Sequence, residues 1–128
     1  MKNFRKLMIW EQGMELAKQV YAFTTALPPK EQFGLISQMN RCSVSIPSNI
    51  AEGCSHNSDI ELKRFIEIAI GSSFELETQL LLAKEIYQKE DVSLFVVLNR
   101  LQKMMNAYHS KLKATPNTNY NQSNTPNN

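Results

Sequence analysis

The stretch that decides the fold is residues 58–88, SDIELKRFIEIAIGSSFELETQLLLAKEIYQ. Ser58 followed three residues later by Glu61 forms a capping-box pattern, which is typical of a helix start. A helix of about 30 residues is roughly 45 Å long. Gly71 in its middle costs about 1 kcal/mol, which predicts close approach of another backbone. A near-heptad series of core positions runs through the stretch: Leu62, Phe65, Ala69, Ser72, Leu76, Leu80, Ala83 and Tyr87.

Helical periodicity extends to both sides of this stretch. A first helix is predicted from about 8 to 26, where two prolines end it. A second begins at Lys30 or Glu31 and reaches Gly53, a natural left-handed cap, with a kink at Pro47. A fourth runs from Asp91, a plausible N-cap, to about residue 113.

These segments predict an all-α fold, an antiparallel up-and-down four-helix bundle whose second helix is kinked at Pro47. The predicted domain is 1–113, and the polar residues 114–128 are expected to form a disordered tail. Several helices carry more apolar surface than one bundle core uses. The surplus predicts a subunit interface, and therefore a homo-oligomer.

The sequence has the features of a cytoplasmic protein. Its basic N-terminus lacks the apolar run of a signal peptide, and no stretch approaches the ~18 apolar residues that span a bilayer. Cys42 and Cys54 on one helix would be roughly 18 Å apart, too far for a disulfide, so both are expected to be reduced thiols.

The patterns of common catalytic and metal sites are missing. Neither His56 nor His109 has a glutamate three residues before it, as a di-iron bundle requires. No metal, cofactor or enzymatic activity is therefore expected. Two interpretations of the carboxylates remain. They form a catalytic pair, or, as we favour, they lie on solvated faces and in one or two buried ion pairs. These carboxylates are Glu52, Glu67, Glu75 and Glu77.

A polar series follows one face of the second predicted helix. Two interpretations stay open at this point. The face is exposed to solvent, or it forms a buried or interfacial network in which Arg41 pairs with Glu75 or Glu77. The series consists of Gln38, Arg41, Ser45, Asn49 and Glu52.

Charge is segregated along the chain. No acidic residue follows Asp91, and none precedes Glu11. Basic surfaces on the first and fourth helices would attract phosphate backbones without reading sequence, although cationic helix ends also suit the helix dipole and solubility. The candidate nucleic-acid-binding residues are Lys2, Arg5, Lys6, Arg100, Lys103, Lys111 and Lys113.

The run SIPSNIAEG, residues 45–53, resembles the signature of the four-helix-bundle family of 23S rRNA intervening-sequence proteins. Further matching positions extend the resemblance over about residues 4–110. They are Trp10, Val20, Tyr21, Thr24, Glu31, Phe33, Gly34, Leu35, Gln38, Arg41, Phe65, Ile68, Ala69, Gly71, Ser72, Glu75, Leu76, Glu77 and Thr78.

The resemblance implies an antiparallel bundle assembled as a homopentamer, without known catalysis. Some members are encoded inside large-subunit rRNA genes, and similar proteins are accessory subunits of diversity-generating retroelements that bind a reverse transcriptase and nucleic acid. It also implies an organising role for the polar series. Asn40 and Cys42 depart from the pattern, which usually has arginine and alanine there, and Asn40 weakens the case for phosphate binding by this turn.

Two functions follow as hypotheses. The first is a non-enzymatic oligomer that contacts RNA or DNA phosphates through the basic residues. The alternative is an interaction module that docks on a reverse transcriptase or another ribonucleoprotein partner.

Overall fold

The computed structural model describes residues 1–112 and confirms the all-α four-helix fold for this part of the chain. The helices are α1 (Met8–Thr24), α2 (Leu35–Cys54), α3 (Asp59–Tyr87) and α4 (Val92–Lys111). Short 3-10 turns, Phe4–Lys6 and Pro29–Glu31, precede α1 and α2. Lys113 and the predicted tail, 114–128, lie outside the described residues.

The contacts between α1 and α2 run in opposite directions along the two helices. Thr24 at the end of α1 donates a hydrogen bond to the Asn40 side chain near the start of α2, at 3.1 Å. In the first half of α1, Gly13 faces Pro47 in the second half of α2, where an added Cβ would lie 3.4 Å from the proline Cβ. This is the contact order of an antiparallel pair.

The same order continues around the bundle. The Cys42 thiol donates to the Ser72 carbonyl of α3 at 3.0 Å, whereas Gly53 at the other end of α2 lies against Phe65. Helix α4 then contacts both α3 and α1. Each helix therefore packs against its two neighbours in the order of an up-and-down bundle.

Aliphatic side chains from all four helices form the core. Burying each one stabilises the fold by about 1.5–3 kcal/mol relative to exposure. Within α3, Ile66 and Ser73 are buried, whereas Phe65 and Ser72, which the heptad series placed in the core, are only half-buried. The largest fully buried side chains are Leu16, Met39, Ile46, Ile50, Leu62, Ile66, Leu76, Leu80, Leu94, Leu98, Leu101 and Met105.

Both predicted N-caps are confirmed. The Ser58 hydroxyl accepts the backbone N–H of Glu61 at 3.4 Å. The Asp91 carboxylate accepts the N–H of Leu94 at 3.2 Å. Each cap satisfies a donor that the first helical turn leaves free, and so fixes where the helix starts.

The second helix begins at Leu35, and the prediction that it starts at Lys30 or Glu31 is wrong. A 3-10 turn ends at Glu31, and Gly34 has a non-helical backbone with φ −107° and ψ −116°. The Glu31 carboxylate accepts the N–H of Leu35 at 3.2 Å and a hydrogen bond from the Tyr87 hydroxyl. The carboxylate thus caps α2 and ties its start to the end of α3.

The prediction for Gly53 is also wrong, and the prediction for Gly71 is not met by another part of the described chain. Gly53 is not a left-handed cap, because α2 continues to Cys54 and no described glycine has positive φ. Gly53 instead makes room for α3, since an added Cβ would lie 2.8 Å from the Phe65 Cβ. Gly71 meets no other part of the described chain within 4 Å of an added Cβ.

Gln88 ends α3 in the left-handed region, with φ 55°. The Gln88 N–H donates to the Lys84 carbonyl at 2.9 Å and the Lys89 N–H donates to the Ala83 carbonyl at 3.4 Å, and the helix end would otherwise leave both carbonyls free. Gln88 is the only non-glycine residue with positive φ among residues 1–112.

Helix α2 continues through Pro47, although proline lacks the N–H that would bond to the Ser43 carbonyl. The predicted kink at Pro47 stays a prediction. None of the four described helices combines the length and the hydropathy needed to cross a bilayer.

Candidate nucleic-acid interface

The N-terminal segment lies across the end of the bundle where α2 and α4 finish. The Lys2 N–H donates to the Cys54 carbonyl of α2 at 3.2 Å. The Lys2 ammonium reaches α4, 3.5 Å from the Tyr108 hydroxyl and 5.6 Å from the centre of its ring. The segment therefore carries its cations from α2 towards α4.

The next residues hold Arg5 and Lys6 in a fixed turn. Asn3 caps the 3-10 turn by accepting the N–H of Arg5 at 3.2 Å. Phe4 packs edge-on against Trp10 of α1, with ring centroids 5.2 Å apart, and the Arg5 guanidinium lies 4.4 Å from the Phe4 ring centroid. Arg5 and Lys6 remain exposed.

Helix α4 presents the other predicted cations on its solvent side. Arg100, Lys103 and Lys111 are all exposed, and they recur at spacings of three and eight residues. Because a helix turns once in 3.6 residues, they lie along one stripe about 16 Å long. We define the basic surface as this stripe together with Lys2, Arg5 and Lys6.

None of the cations of the basic surface forms an ion pair with another described residue. The ion pairs of lysine or arginine within residues 1–112 are Glu15–Lys18 at 3.9 Å and Lys84–Glu90 at 3.3 Å, and Glu67 contacts His109 at 2.8 Å. The charges of the basic surface are therefore available to an external anion such as phosphate. The contact between Lys2 and Tyr108 joins the N-terminal cations to the end of α4 where Lys111 lies. Lys113 lies outside the described residues.

The polar series of α2 is divided between the helix backbone and a cleft. Ser45 donates to the Cys42 carbonyl at 2.7 Å, and Asn49 donates to the Ser45 carbonyl at 2.7 Å. Gln38 and Arg41 line a polar cleft of about 400 Å³ between α2 and α3. The side chains of the series therefore do not form one connected network within the described chain.

The predicted pairing of Arg41 with Glu75 or Glu77 does not occur within residues 1–112. Glu75 lines the same cleft as Arg41 but forms no ion pair with it. Glu77 faces the other way, because its carboxylate accepts a hydrogen bond from Gln102 of α4 at 2.9 Å. Glu52 is exposed at the end of α2, away from both.

Cys42 sits in the wall of this cleft. Burial, followed by the nearby charge of Glu75, raises the pKa of its thiol to about 11. Burial also raises the pKa of Cys54. Both cysteines are unpaired thiols in the structure. At neutral pH both are therefore protonated, the state in which a thiol is a poor nucleophile and metal ligand.

Histidine, cysteine and carboxylate side chains do not gather into a metal-binding group of three or more within residues 1–112. Two of the described carboxylates make contacts that do not involve a metal. Glu67 pairs with His109, and Glu31 caps α2.

Sequence reasoning predicted surplus apolar surface but not its location. Trp10, Met14, Ala17 and Tyr21 of α1 face Val44 and Pro47 of α2 across an open cavity of about 600 Å³. We call this cavity the apolar groove. Its α1 side chains recur at spacings of three and four, but the pattern alone did not separate them from the core.

A family model described as 23S rRNA-intervening sequence protein matches residues 5–108. The match covers all four helices apart from the last residues of α4, as well as Arg5, Arg100 and Lys103 of the basic surface. Among curated proteins, none matches the chain.

Proposed function

Because the chain belongs to the family of 23S rRNA-intervening sequence proteins, we propose that it is a non-enzymatic, oligomeric protein that binds RNA phosphates. The residues proposed to make the contacts are Lys2, Arg5, Lys6, Arg100, Lys103, Lys111 and Lys113. We place this activity in the cytoplasm, where thiols such as its unpaired cysteines stay reduced.

The observation that carries the proposal is that the cations of the basic surface are exposed and unpaired among the described residues. No described carboxylate neutralises them. No acidic residue follows Asp91 in the sequence, so the α4 stripe carries positive charge alone. Phosphate contacts of this kind supply affinity without reading sequence.

The carboxylates support a role without catalysis. An acid–base pair would need two of them to face one cleft. Glu75 faces the cleft beside α2, Glu77 is held by Gln102, and Glu67 is paired with His109. These three side chains therefore face different surroundings, which supports a role without an acid–base pair.

The proposal is tested by titrating the full chain with a structured 23S rRNA fragment and with an unrelated RNA of equal length. Fluorescence anisotropy at about 50 and about 200 mM salt measures the affinities. If three cations contact phosphates at once, this fourfold rise in salt weakens binding roughly 20- to 40-fold. Similar affinity for both RNAs is expected. Absence of binding by the assembled protein at the lower salt would refute the proposal.

A paired variant locates the contacts. Arg100→Gln combined with Lys103→Gln should weaken binding and lower the salt slope by about 2. Lys84→Gln is the matched control, because Lys84 is already paired with Glu90 at 3.3 Å. Equal losses of RNA affinity in both variants would show that the total charge, and not the α4 stripe, determines binding.

One observation favours the second candidate, docking on a reverse transcriptase or another ribonucleoprotein partner. Phe33 protrudes from the connection between α1 and α2 with 90% of its surface exposed. Exposed aromatic rings are typical anchors of protein interfaces. Phe33→Ser should abolish binding to a purified reverse transcriptase from the same genome, as measured by titration calorimetry, and leave RNA binding unchanged. Unchanged binding by the variant would contradict this candidate.

A further inference from the structure

Nothing in the described chain requires a glycine at position 71. It lies in the middle of α3, where glycine weakens a helix, and it has neither positive φ nor a close neighbour. It is also exposed. A glycine in this situation makes room for something outside the chain, and the absent Cβ leaves a notch that a second backbone or a bulky side chain can enter.

Exposed apolar side chains flank this notch. Ile68 is 47% exposed and Phe74 is 54% exposed, each about one turn from Gly71 on the outer side of α3. Arg64 and Glu75 stand at the two ends of this stretch. We call these five residues the Gly71 face.

The apolar groove is the complementary surface. It is a concave strip about 16 Å long between α1 and α2, measured from Trp10 to Tyr21. Lys18 lines its rim, and Glu11 follows the lining residue Trp10 in the chain; both charged side chains are exposed. The Gly71 face spans a similar eleven residues of helix, and the two surfaces therefore match in length.

The two surfaces also lie at the same height along the bundle. Gly13 of α1 is level with Pro47 of α2. Pro47 lies midway between the points where α2 meets Ser72 and Phe65 of α3. Gly13 is therefore about level with Ile68, and the groove is level with the Gly71 face.

Charges of opposite sign occur at matching heights on the two surfaces. Counting along the helices from the same contacts, Glu11 falls within one helical turn of the level of Arg64. Lys18, which also pairs with Glu15 at 3.9 Å, falls between the levels of Gly71 and Glu75. Neither Glu11 nor Arg64 forms an ion pair within residues 1–112.

From these observations we propose that the Gly71 face of one copy packs into the apolar groove of a second copy. The two surfaces lie on different helices, so the contact is heterologous, and every copy uses both surfaces. Because the surfaces are level, successive copies have no offset along the helix axes. With no such offset, contacts that repeat at an angle dividing a full turn close into a ring instead of growing into a filament. This inference rests on the oligomeric part of the proposed function and assigns its interface.

Two variants each remove one surface. Gly71→Gln fills the notch, and the monomer tolerates the added atoms because nothing lies within 4 Å of a Cβ there. Met14→Glu places a charge in the groove, at a side chain that is 39% exposed. Tyr21→Glu repeats the groove test should Met14→Glu unfold, which circular dichroism detects. The matched controls are Thr78→Gln, further along α3, and Met8→Glu, outside the groove on α1.

Sedimentation velocity of the full chain measures the assembly. Wild type and both controls should form the same oligomer, and each test variant alone should be monomeric at the same concentration. An equimolar mixture of Gly71→Gln and Met14→Glu should form a one-to-one heterodimer, because the mixture contains one intact groove and one intact Gly71 face.

Four results would overturn the inference: a monomeric wild type, test variants that assemble as wild type does, either variant forming a homodimer, or a mixture that stays monomeric. The RNA proposal is separate from these outcomes. Failure of the wild-type oligomer to bind RNA would refute that proposal while leaving the interface intact. Loss of assembly in the test variants, with weak RNA binding retained per subunit, would support the interface and leave the RNA proposal standing.

Discussion

Gly53→Ala tests the close packing between α2 and α3. An added Cβ at this position would lie 2.8 Å from the Phe65 Cβ and 2.9 Å from a Leu62 methyl group. The Phe65 Cβ is attached directly to the backbone, so relief requires the helices to separate. Overpacking of this kind costs about 1–3 kcal/mol. Alanine recovers up to about 1 kcal/mol of helix propensity, and the net loss should be about 1 kcal/mol.

Gly13→Ala is the matched control, since Gly13 is also helical and buried. Its added Cβ would lie 3.4 Å from the Pro47 Cβ, at the edge of ordinary van der Waals contact. The propensity gain should dominate there, with a stabilisation of up to about 1 kcal/mol. The two variants should therefore differ by about 2 kcal/mol in the free energy of unfolding.

Urea unfolding followed by far-ultraviolet circular dichroism measures this difference. All three proteins must be compared at one protein concentration, because oligomerisation makes stability depend on concentration. The Gly53→Ala midpoint should fall below wild type and the Gly13→Ala midpoint should equal or exceed it. A Gly53→Ala protein as stable as Gly13→Ala would show that the reasoning about the α2–α3 contact is wrong.

Three further predictions concern single side chains. A hydrogen bond from Tyr87 lowers the pKa of Glu31 below its ordinary value of 4.5, so the stabilisation by this carboxylate is present above pH 4.5 and lost as pH falls through the lowered value. The stability difference between wild type and Glu31→Gln in urea should therefore vanish in acid, and a difference that persists there would contradict the capping role. Because burial raises the pKa of Cys42 to about 11, two units above its ordinary 9.0, its thiolate fraction at pH 8 should be about 100-fold lower than that of a free thiol. Alkylation of a variant that retains only this cysteine should be slower by at least that factor, and reaction at the rate of the unfolded chain would refute the assignment. Glu11→Arg and Arg64→Glu should each weaken the oligomer, and the double variant should recover assembly in sedimentation experiments, whereas additive losses would show that the two residues do not face each other.

Local sequence chemistry was sufficient for most of the fold. Periodicity located all four helices, and the Ser58 and Asp91 caps follow from short-range rules that depend on few neighbours. The start of α2 was missed because its capping group, Glu31, comes from a separate turn and is held by Tyr87, 56 residues away. Helix periodicity contains no information about such a distant partner.

The same limit applies to the surfaces. Gly53 and Gly71 are both helical glycines in the sequence, yet one fits beneath Phe65 and the other faces solvent. Only the packing of α2 on α3 distinguishes them. Likewise, the spacing of Arg41 and Glu77 allowed a pair, but the rotation of α3 turns Glu77 towards Gln102. The exposure of Arg100 and Lys103 was easier to anticipate, since long cationic side chains are rarely buried.

The left-handed end of α3 offers an engineering opportunity. At φ 55°, Gln88 bears a strain of roughly 1 kcal/mol that glycine would not. Its side chain makes one local hydrogen bond, to the Glu85 carbonyl at 3.1 Å, so little is lost in the exchange. Gln88→Gly should therefore give a more stable protein in which the basic surface, the apolar groove and the Gly71 face are unchanged. Destabilising substitutions at those surfaces could then be assayed at temperatures where the parent protein has already begun to melt.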